Sequence, residues 1–324
     1  MGNSKNLNLI NELRNFVAQH FAPKIAVGFS GGLDSVALTH ALFLLARELN
    51  FEILAIHIHH GISKNADFWA DFSKKFCVDR GISFVFEKVK LTDFAENTAR
   101  AARFSAFQKL AHNRPLFLAQ HADDQMETML FKIARGGGLK AVCGIQKIKK
   151  IQGLTIFRPW ISTPRAEILE FAKAENLEWV NDESNADTAY ARNFLRHEVV
   201  APLKKRFGAV EKHFAHTAEI AAESLELLND LAQMDFARAA LSQNALSVAQ
   251  IKTLPPARLK NLLRFILENH GESLPPSSQF NEFCRQILES APQKSPRLEL
   301  KKFQFFVQNG KLFFQKSTVN GDFF

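Results

Sequence analysis

Short apolar runs alternate with helix-like patterns through the first half of the chain. The apolar runs predict strands at 25–29, 51–58, 83–87, 115–119 and 156–160. Helical patterns lie between and around them, beginning near residues 7, 36, 67, 97 and 164. Strands that alternate with helices favour a parallel sheet with helices on both faces. We therefore predict a doubly wound α/β domain over residues 1–208.

The pattern changes after Gly208. Residues 210–241 form one long helical pattern with few turn signals, which predicts a linker helix within 209–245. A second amphipathic helix is expected from Pro255-Pro256, and residues 298–314 predict a hairpin around an Asn309-Gly310 turn. The last part, 246–324, is therefore expected to be a smaller α+β domain.

One aromatic stripe in the first domain is interpreted as core. Phe68, Phe72 and Phe76 recur every four residues in the helix predicted over 67–80. This spacing places them on one face of a helix, which favours packing against the sheet over base stacking.

Composition narrows the class of protein. The 324 residues, 46% of them hydrophobic, can form two cores. A net charge of +8 favours a polyanionic partner. No apolar run approaches the roughly 20 residues of a membrane span, and no signal peptide begins the chain, so we expect a cytoplasmic protein. Cys77, Cys143 and Cys284 are far apart, which argues against disulfides, zinc and iron–sulfur clusters.

The first predicted strand leads into a candidate phosphate-binding loop. Gly31 and Gly32 let the backbone approach a ligand, and the helix that follows points its N–H groups at an anion. Ser30 and Ser35 add hydroxyl groups. The acid Asp34 would repel phosphate unless a cation lay between them, so it suggests Mg²⁺. The loop reads Ser30-Gly31-Gly32-Leu33-Asp34-Ser35.

Two common nucleotide motifs are missing from this loop. It lacks the Gly-Lys-Ser/Thr of a Walker loop and the three-glycine Rossmann pattern. The hexapeptide instead resembles the pyrophosphate loop of the ATP-pyrophosphatase superfamily. A simple Gly-Gly turn is the alternative.

Three acids follow the fourth predicted strand. Asp123 and Asp124 begin a helix, and Glu127 lies on the same face. Helix capping would account for the two aspartates. Their place at the carboxyl end of a strand, beside the phosphate loop, favours a functional site, because open α/β sheets bind ligands at that edge.

Other polar groups allow two interpretations. His59 and His60 point to opposite faces of a strand end, so loop histidines are favoured over a metal site. Arg100 and Arg103 share a helix face and could be solvated or bind phosphate. Exposed lysines and arginines usually do no more than keep a surface solvated, but one set could bind nucleic-acid phosphates. That set is Lys147, Lys149, Lys150, Lys204, Lys205 and Arg206.

Taken together, these motifs resemble the bacterial tRNA(Ile)-lysidine synthetase family over about residues 24–205. The tail resembles the family only in its position in the chain and in its general pattern of polar and apolar residues. The motifs that carry the resemblance are the loop 30–35, His60-Gly61, 97–103, 121–128, 135–139 and the pattern D-x-S-N-x-D-x-x-Y-x-R-N-x-x-R-x-x-V-x-x-P over 182–202.

The resemblance implies a two-step ligase reaction. ATP adenylates carbon 2 of the wobble cytidine in a tRNA(Ile) with a CAU anticodon, and the ε-amine of free L-lysine then displaces AMP. The tRNA then reads AUA instead of AUG.

The family's activity also implies roles for particular residues. The loop and Arg100 would bind ATP, Asp34 would ligate Mg²⁺, and Arg192 would join Arg100 at the α-phosphate. Asp123, Asp124 and Glu127 would bind lysine. The catalytic residues would be Asp34, Asp124, Glu127 and Arg192. The resemblance makes 1–208 the ATP-binding catalytic domain and 246–324 a tRNA-binding domain. The basic set above would also contact tRNA, and the resemblance allows a homodimer.

The sequence departs from the family pattern in two places. His59-His60-Gly61-Ile62-Ser63 stands where relatives often have Asn-His-Gly-Leu-Arg, and the chain is expected to be a short form. The alternatives are a tRNA thiolase, an amidotransferase-type ligase and a non-catalytic ATP sensor. Unpaired cysteines weigh against the first and a missing glutaminase motif against the second. The sensor would need neither the acids nor the basic tail.

Overall fold

The computed structural model describes residues 2–59, 65–89, 96–181, 191–289 and 295–317. The chain divides into two compact units, 1–222 and 223–324, whose boundary lies inside one long helix. The three-part division into 1–208, 209–245 and 246–324 stays a prediction. No helix in the described ranges is long and apolar enough to cross a membrane.

The first unit is built on a six-stranded sheet ordered β3-β2-β1-β4-β6-β5. All neighbouring strands are parallel except β5 and β6, which form an antiparallel hairpin. The sequence analysis missed β5 because its two central positions are lysines and no apolar run marks it. The strands are β1 (Lys24–Gly28), β2 (Glu52–His59), β3 (Ser83–Lys88), β4 (Leu116–Phe117), β5 (Ile148–Ile151) and β6 (Leu154–Phe157).

Helices cover both faces of this sheet, as predicted. Ile25 and Val27 face a core shared with α1, α2, α3 and α7, whereas Ala26 faces a second core with α4. The helices are α1 (Gly2–Gln19), α2 (Leu33–Leu49), α3 (Ala66–Val78), α4 (Glu96–Ala111), α5 (Ala122–Ala134), α6 (Gly138–Val142), α7 (Arg165–Ala174), α8 (Ala191–Phe194), α9 (Ala201–Phe207) and α10 (Val210–Ala239), with a π-helical turn at Leu195–Val200 between α8 and α9.

The order of strands places the two candidate motifs together. β1 pairs with β2 on one side and β4 on the other, so the chain order reverses at β1. The loops that leave β1 and β4 therefore meet at the carboxyl edge of the sheet, where α/β folds bind ligands.

The aromatic stripe on α3 is only partly core, which corrects the prediction. Phe76 is 7% exposed and packs on Phe29, but Phe68 is 64% exposed. Phe68 lies in the first turn of α3, whereas Phe72 and Phe76 lie further along the helix and pack in the core on that face of the sheet.

The second unit packs two helices on a five-stranded antiparallel sheet, ordered β7-β8-β11-β10-β9. The predicted hairpin is confirmed as β10 and β11, and its turn residues Asn309 and Gly310 have φ values of 51° and 71°. Two positive φ values are what a two-residue type I′ turn requires. The elements are β7 (Ala240–Ser242), β8 (Ala245–Ser247), α11 (Val248–Ile251), α12 (Pro256–Asn269), α13 (Ser277–Glu289), β9 (Arg297–Glu299), β10 (Phe303–Gln308) and β11 (Lys311–Lys316).

Candidate functional site

The loop after β1 is held in shape by its own two serines. The Ser30 N–H donates to Ser35 Oγ at 3.1 Å, and Ser35 Oγ donates to the carbonyl of Gly32 at 3.0 Å. The two hydroxyl oxygens are 3.0 Å apart. Gly32 caps α2 without any side-chain hydrogen bond. The start of α2 thus presents backbone N–H groups in a preformed loop, which is the geometry of an anion-binding nest.

Gly31 is required at its position for two reasons. Its φ of +83° lies in the left-handed region that side chains avoid. A Cβ atom there would also lie 3.1 Å from Ser73 Oγ and 3.1 Å from Val180 Cγ2. The Gly31 carbonyl accepts from the Val180 N–H at 3.0 Å, so the loop is tied to the segment after α7.

The loop after β4 begins α5 with a reciprocal cap. The His121 N–H donates to Asp124 Oδ2 at 3.1 Å, and the Asp124 N–H donates to His121 Nδ1 at 3.4 Å. Helix capping, the alternative interpretation of the two aspartates, therefore applies to Asp124. The acceptor role of His121 Nδ1 belongs to the neutral ring, whose proton lies on Nε2; in the protonated ring Nδ1 also carries a proton and does not accept from the Asp124 N–H.

His121 Nε2 faces carboxylates from both loops. It lies 3.7 Å from Asp34 Oδ2 and 3.5 Å from Asp124 Oδ2. Burial opposes a charge on this ring, but Asp124, Asp34 and Asp123 outweigh burial and raise the pKa of His121. The buried imidazole therefore joins the phosphate loop to the acids of α5.

Asp34 has a second cationic neighbour in Arg165. The Arg165 Nε donates to Asp34 Oδ1 at 3.2 Å, from the first turn of α7. Burial alone would raise the pKa of Asp34, but His121 and Arg165 together hold it below its usual value. Asp34 is thus charged and balanced by protein cations.

Glu127 and Arg196 form a bidentate ion pair. The Arg196 Nε and Nη2 atoms donate to the two Glu127 oxygens at 2.6 and 3.0 Å. The Glu127 side chain is 4% exposed. Burial raises its pKa, and Arg196 only partly offsets this effect. Arg196 Nη2 also lies 4.0 Å from Asp124 Oδ1, so the same guanidinium reaches both acids.

Asp123 is occupied by protein donors on both oxygens. Oδ2 accepts from the Arg165 N–H at 2.9 Å, at the start of α7, and Oδ1 accepts from Lys204 Nζ. Burial would raise the pKa of Asp123, but Lys204 and the Arg165 N–H lower it below its usual value. Lys204 also lies 3.5 Å from Glu211, so this lysine serves an internal network.

The structure brings together only part of the residue set that the sequence analysis selected. The loop 30–35 and the three acids meet, and Arg192 lies on α8, one turn before Arg196. Lys205 and Arg206 are exposed on α9. Lys147, Lys149 and Lys150 are exposed in and beside β5, which β4 and β6 separate from β1.

Some selected residues lie outside what is described. The side chain of Arg100, the motif His60-Gly61 and residues 182–190 are in this group.

The candidate residues chosen from the sequence did not include His121, Arg165 and Arg196. These three contact the carboxylates of Asp34, Asp124 and Glu127. The sequence offered a signal for two of them, since His121 lies in the motif 121–128 and Arg196 in the pattern over 182–202, whereas Arg165 lies in none of the motifs.

The side chains at the site can be compared with the ligands that Mg²⁺ uses in proteins. Within the described ranges, no group of three or more His, Cys, Asp or Glu side chains could hold a metal ion. Mg²⁺ at phosphate sites often uses one or two carboxylates together with phosphate oxygens. Asp34 and Asp124, which converge on His121 Nε2, fit that smaller set.

A doubly wound sheet with this loop after its first strand defines a PP-loop domain, a class of α/β domain that uses ATP. A family model described as the PP-loop domain matches residues 5–203, and one described as the TilS substrate binding domain matches 246–313. The chain belongs to the tRNA(Ile)-lysidine synthase family.

Similar proteins of known name support the assignment to this family. The tRNA(Ile)-lysidine synthase of Nitrosomonas europaea is 36% identical over 276 residues, covering 83% of this chain and 60% of that protein. That of Actinobacillus pleuropneumoniae serotype 3 is 35% identical over 292 residues, covering 88% and 69%. The chain thus spans about two thirds of the length of these relatives.

A solved structure shares the fold. The U34-tRNA thiolase NcsA from Methanococcus maripaludis, solved with its [4Fe-4S] cluster, superposes with a TM-score of 0.57 and 18% identity. The match covers 68% of this chain and 80% of that one. At this identity the likeness concerns the fold alone.

Proposed function

We propose that the chain modifies the wobble cytidine of a tRNA(Ile) with a CAU anticodon to lysidine, using ATP and free L-lysine. The observation that carries the proposal is the convergence of Asp34, from the phosphate loop, and Asp124, from α5, on one buried imidazole. This convergence supports the assignment of a phosphate nest beside a carboxylate able to bind an amine.

In the first step, the oxygen on carbon 2 of the cytidine attacks the α-phosphorus of ATP, and the bond to pyrophosphate breaks. The backbone nest of the loop 30–35 binds the departing pyrophosphate. Asp34 would hold Mg²⁺, which neutralises phosphate charge when bound. Arg192 and Arg100 are assigned to the α-phosphate, and Arg165 lies close enough to Asp34 to assist them.

In the second step, the ε-nitrogen of lysine attacks carbon 2, and the bond from that carbon to the AMP oxygen breaks. The amine must first lose a proton, and an α5 carboxylate accepts it. Asp124 is favoured for this contact, because Asp123 and Glu127 are already paired with Lys204 and Arg196. Arg196 lies beside Asp124 and supplies the cation that the lysine carboxylate needs.

The basic residues of the first unit are assigned to tRNA phosphates. Lys147, Lys149, Lys150, Lys205 and Arg206 are exposed, which suits long-range attraction to a polyanion. Lys204 is assigned with them, although its ion pairs make it the weakest member of the set.

A thiolase activity has less support. All three cysteines are buried: Cys77 lies in α3, Cys143 directly follows α6, and Cys284 lies in α13. Burial raises the pKa of Cys77 to about 12 and that of Cys284 to about 11, whereas a reactive thiol needs a lowered pKa.

The test is incorporation of labelled lysine into a tRNA(Ile) transcript with a CAU anticodon, with and without ATP. A methionine tRNA, which carries the same triplet, is the matched control. Wild-type protein should label only tRNA(Ile), with ATP present. Failure to transfer lysine in the complete reaction would overturn the proposal.

The two steps can be separated by substitution. Asp34→Ala should abolish release of pyrophosphate, because it removes the proposed Mg²⁺ ligand from the loop that is proposed to bind pyrophosphate. Asp124→Asn and Glu127→Gln should slow lysine transfer more than adenylation, so that adenylated tRNA accumulates at saturating ATP. If no adenylated tRNA accumulates, the assignment of these acids to lysine is wrong.

A further inference from the structure

Lys204 differs from the other residues that are assigned to tRNA, because its side chain is half-buried and theirs are exposed. Its Nζ atom contacts Asp123 Oδ1 and lies 3.5 Å from Glu211 Oε1. These two acidic side chains, from α5 and α10, are only 13% and 6% exposed. The ammonium is therefore committed to contacts inside the first unit, which tRNA binding does not explain.

Two carboxylates depend on this one ammonium. Glu211 Oε2 is buried and accepts no hydrogen bond within the described residues, so the charge of Glu211 is compensated through Oε1 and Lys204. Asp123 Oδ1 has Lys204 as its donor. Removing one partner of a buried ion pair leaves the other charge uncompensated. The loss of Lys204 should therefore disturb Asp123 as well as Glu211.

Asp123 in turn caps α7 from a neighbouring helix. The N-cap residue of α7 is Pro164, which makes no side-chain hydrogen bond to the helix. The first N–H groups of a helix have no partner within it, and a carboxylate is favoured beside them. Asp123 Oδ2 supplies this acceptor to the Arg165 N–H at 2.9 Å, and the Ala122 N–H donates to the Thr163 carbonyl at 2.9 Å. The start of α7 is thus fixed on the start of α5.

The series of contacts continues to the phosphate loop through the side chain of Arg165. Its Nε atom donates to Asp34 Oδ1 at 3.2 Å, and the side chain is 52% exposed. The backbone N–H of Arg165 is held by Asp123, and its guanidinium contacts Asp34. Lys204 is therefore linked to the loop 30–35 through two intermediate residues, Asp123 and Arg165.

We propose that Lys204 is a positioning residue for the binding of ATP. It holds Asp123 against the start of α7, and so keeps the guanidinium of Arg165 beside Asp34. The inference rests on the proposed function in taking Asp34 and Arg165 as residues of the ATP site. It gives Lys204 a role that requires no contact with tRNA.

The test measures binding of α,β-methylene-ATP with Mg²⁺ to the full chain by isothermal titration calorimetry, in the absence of tRNA. Lys204→Met keeps an unbranched side chain but removes the charge. It should weaken binding about 10- to 100-fold, the loss seen in metal sites when a group that orients a ligating side chain is removed. Lys204→Arg keeps a cation and should restore most of the affinity.

A second lysine provides the matched control. Lys212 on α10 forms an ion pair with Glu167 on α7 at 2.8 Å, and its side chain is 52% exposed. Lys212→Met therefore breaks another contact between a lysine and α7 without touching Asp123. It should leave the affinity for the analogue unchanged.

A double variant separates positioning from stability. Glu211→Gln with Lys204→Met removes the uncompensated charge of Glu211, and should recover part of the stability that Lys204→Met loses in thermal unfolding. Asp123 still lacks its donor in this variant, so binding of the analogue should stay weak. The double variant also serves for the titration if Lys204→Met does not fold.

Three results would overturn the inference. The first is equal affinity of wild type and Lys204→Met for the analogue. The second is an equal loss in Lys204→Met and Lys212→Met, since any broken lysine contact with α7 would then be enough. The third is a double variant in which affinity returns together with stability, since Lys204 would then act only through folding.

Failure of this inference and failure of the proposed function give different results. If wild type transfers lysine to tRNA(Ile) and Lys204→Met binds the analogue as wild type does, only the role of Lys204 is wrongly assigned. If binding of the analogue depends on Lys204 but wild type transfers no lysine, the reaction is wrong and the positioning role stands.

Discussion

At the scale of single residues, the site is a set of paired charges. Glu127 and Asp123 would be costly to bury alone, and each has a cation from a later segment. Asp34 is balanced by His121 and Arg165. Asp124 differs, since its closest partners are a backbone N–H and the imidazole of its own cap. This difference, and not the number of acids, favours Asp124 as the group that meets a substrate amine.

The pair of Glu127 and Arg196 gives a stability prediction. Arg196→Met leaves a carboxylate that is 4% exposed without its guanidinium, and should lower the free energy of unfolding by about 2–3 kcal/mol. The loss is below that of a fully buried pair because Arg196 is 38% exposed. It should shrink at lower pH, because protonated Glu127 carries no charge. Urea unfolding at several pH values measures it.

The double variant is the control. Glu127→Met with Arg196→Met removes both charges and should recover most of the stability, while lysine transfer stays lost. A double variant as unstable as Arg196→Met would show that packing, and not the uncompensated charge, explains the loss.

At the scale of elements, the site is made by the starts of helices. α2 and α5 both begin at the carboxyl edge of the sheet, next to the neighbouring strands β1 and β4. α7 begins beside them and contributes Arg165. The π-helical turn at Leu195–Val200 carries Arg196 to Glu127, and such turns are often found at functional sites.

The loop between β1 and α2 gives an element-scale prediction. Gly31→Ala adds a Cβ atom at φ +83° that would meet Ser73 and Val180 at 3.1 Å. We expect it to reduce the ATP-dependent reaction at least tenfold (~1.4 kcal/mol) and to lower the free energy of unfolding by more than the roughly 1–2 kcal/mol of the left-handed conformation alone.

Gly153→Ala isolates the backbone part of this effect. Gly153 has φ +81° and nothing within 4 Å of the added Cβ, so only the conformational cost applies. Thermal unfolding and ATP consumption compare the two variants. Equal effects at both positions would contradict a close-packed phosphate loop.

At the scale of the whole molecule, the two units carry different kinds of candidate surface. The first has the candidate phosphate-binding edge with its acids, together with exposed lysines in the hairpin of β5 and β6. The second has a sheet on which the rings of Phe306 and Phe313 stack and the guanidinium of Arg297 lies over Phe306. A net charge of +8 suits a large polyanion, and both surfaces are consistent with that.

The hairpin lysines give a prediction at this scale. Lys149→Glu with Lys150→Glu should weaken binding of the tRNA(Ile) transcript, and the slope of log affinity against log salt should fall in magnitude by about two. Filter binding over a range of salt concentrations measures both. Lys74→Glu with Lys75→Glu, two exposed lysines on α3, makes the same change in net charge. Identical losses in the two double variants would indicate only a general effect of charge.

Local patterns in the sequence determined most of the fold. Apolar runs and helix signals located β1 to β4, β6, α10 and the β10–β11 hairpin, because these depend on periodicity and turn chemistry within a few residues. They also identified the loop 30–35 and the acids of α5. They missed β5, which has lysines at its two central positions, and misjudged Phe68, whose exposure depends on which residues pack against the first turn of α3.

Only the tertiary structure decided how the charges pair. Asp34 meets Arg165 across 131 positions, and Glu127 meets Arg196 across 69. No local pattern encodes such contacts, because they depend on the order of strands and on a π-helical turn. The same holds for the stack of Arg297, Phe306 and Phe313, which requires the register of three strands. The sequence by itself identified the acids and the candidate phosphate loop, and only the fold showed that Asp123 and Glu127 are paired with Lys204 and Arg196 whereas Asp124 closes the cap of α5.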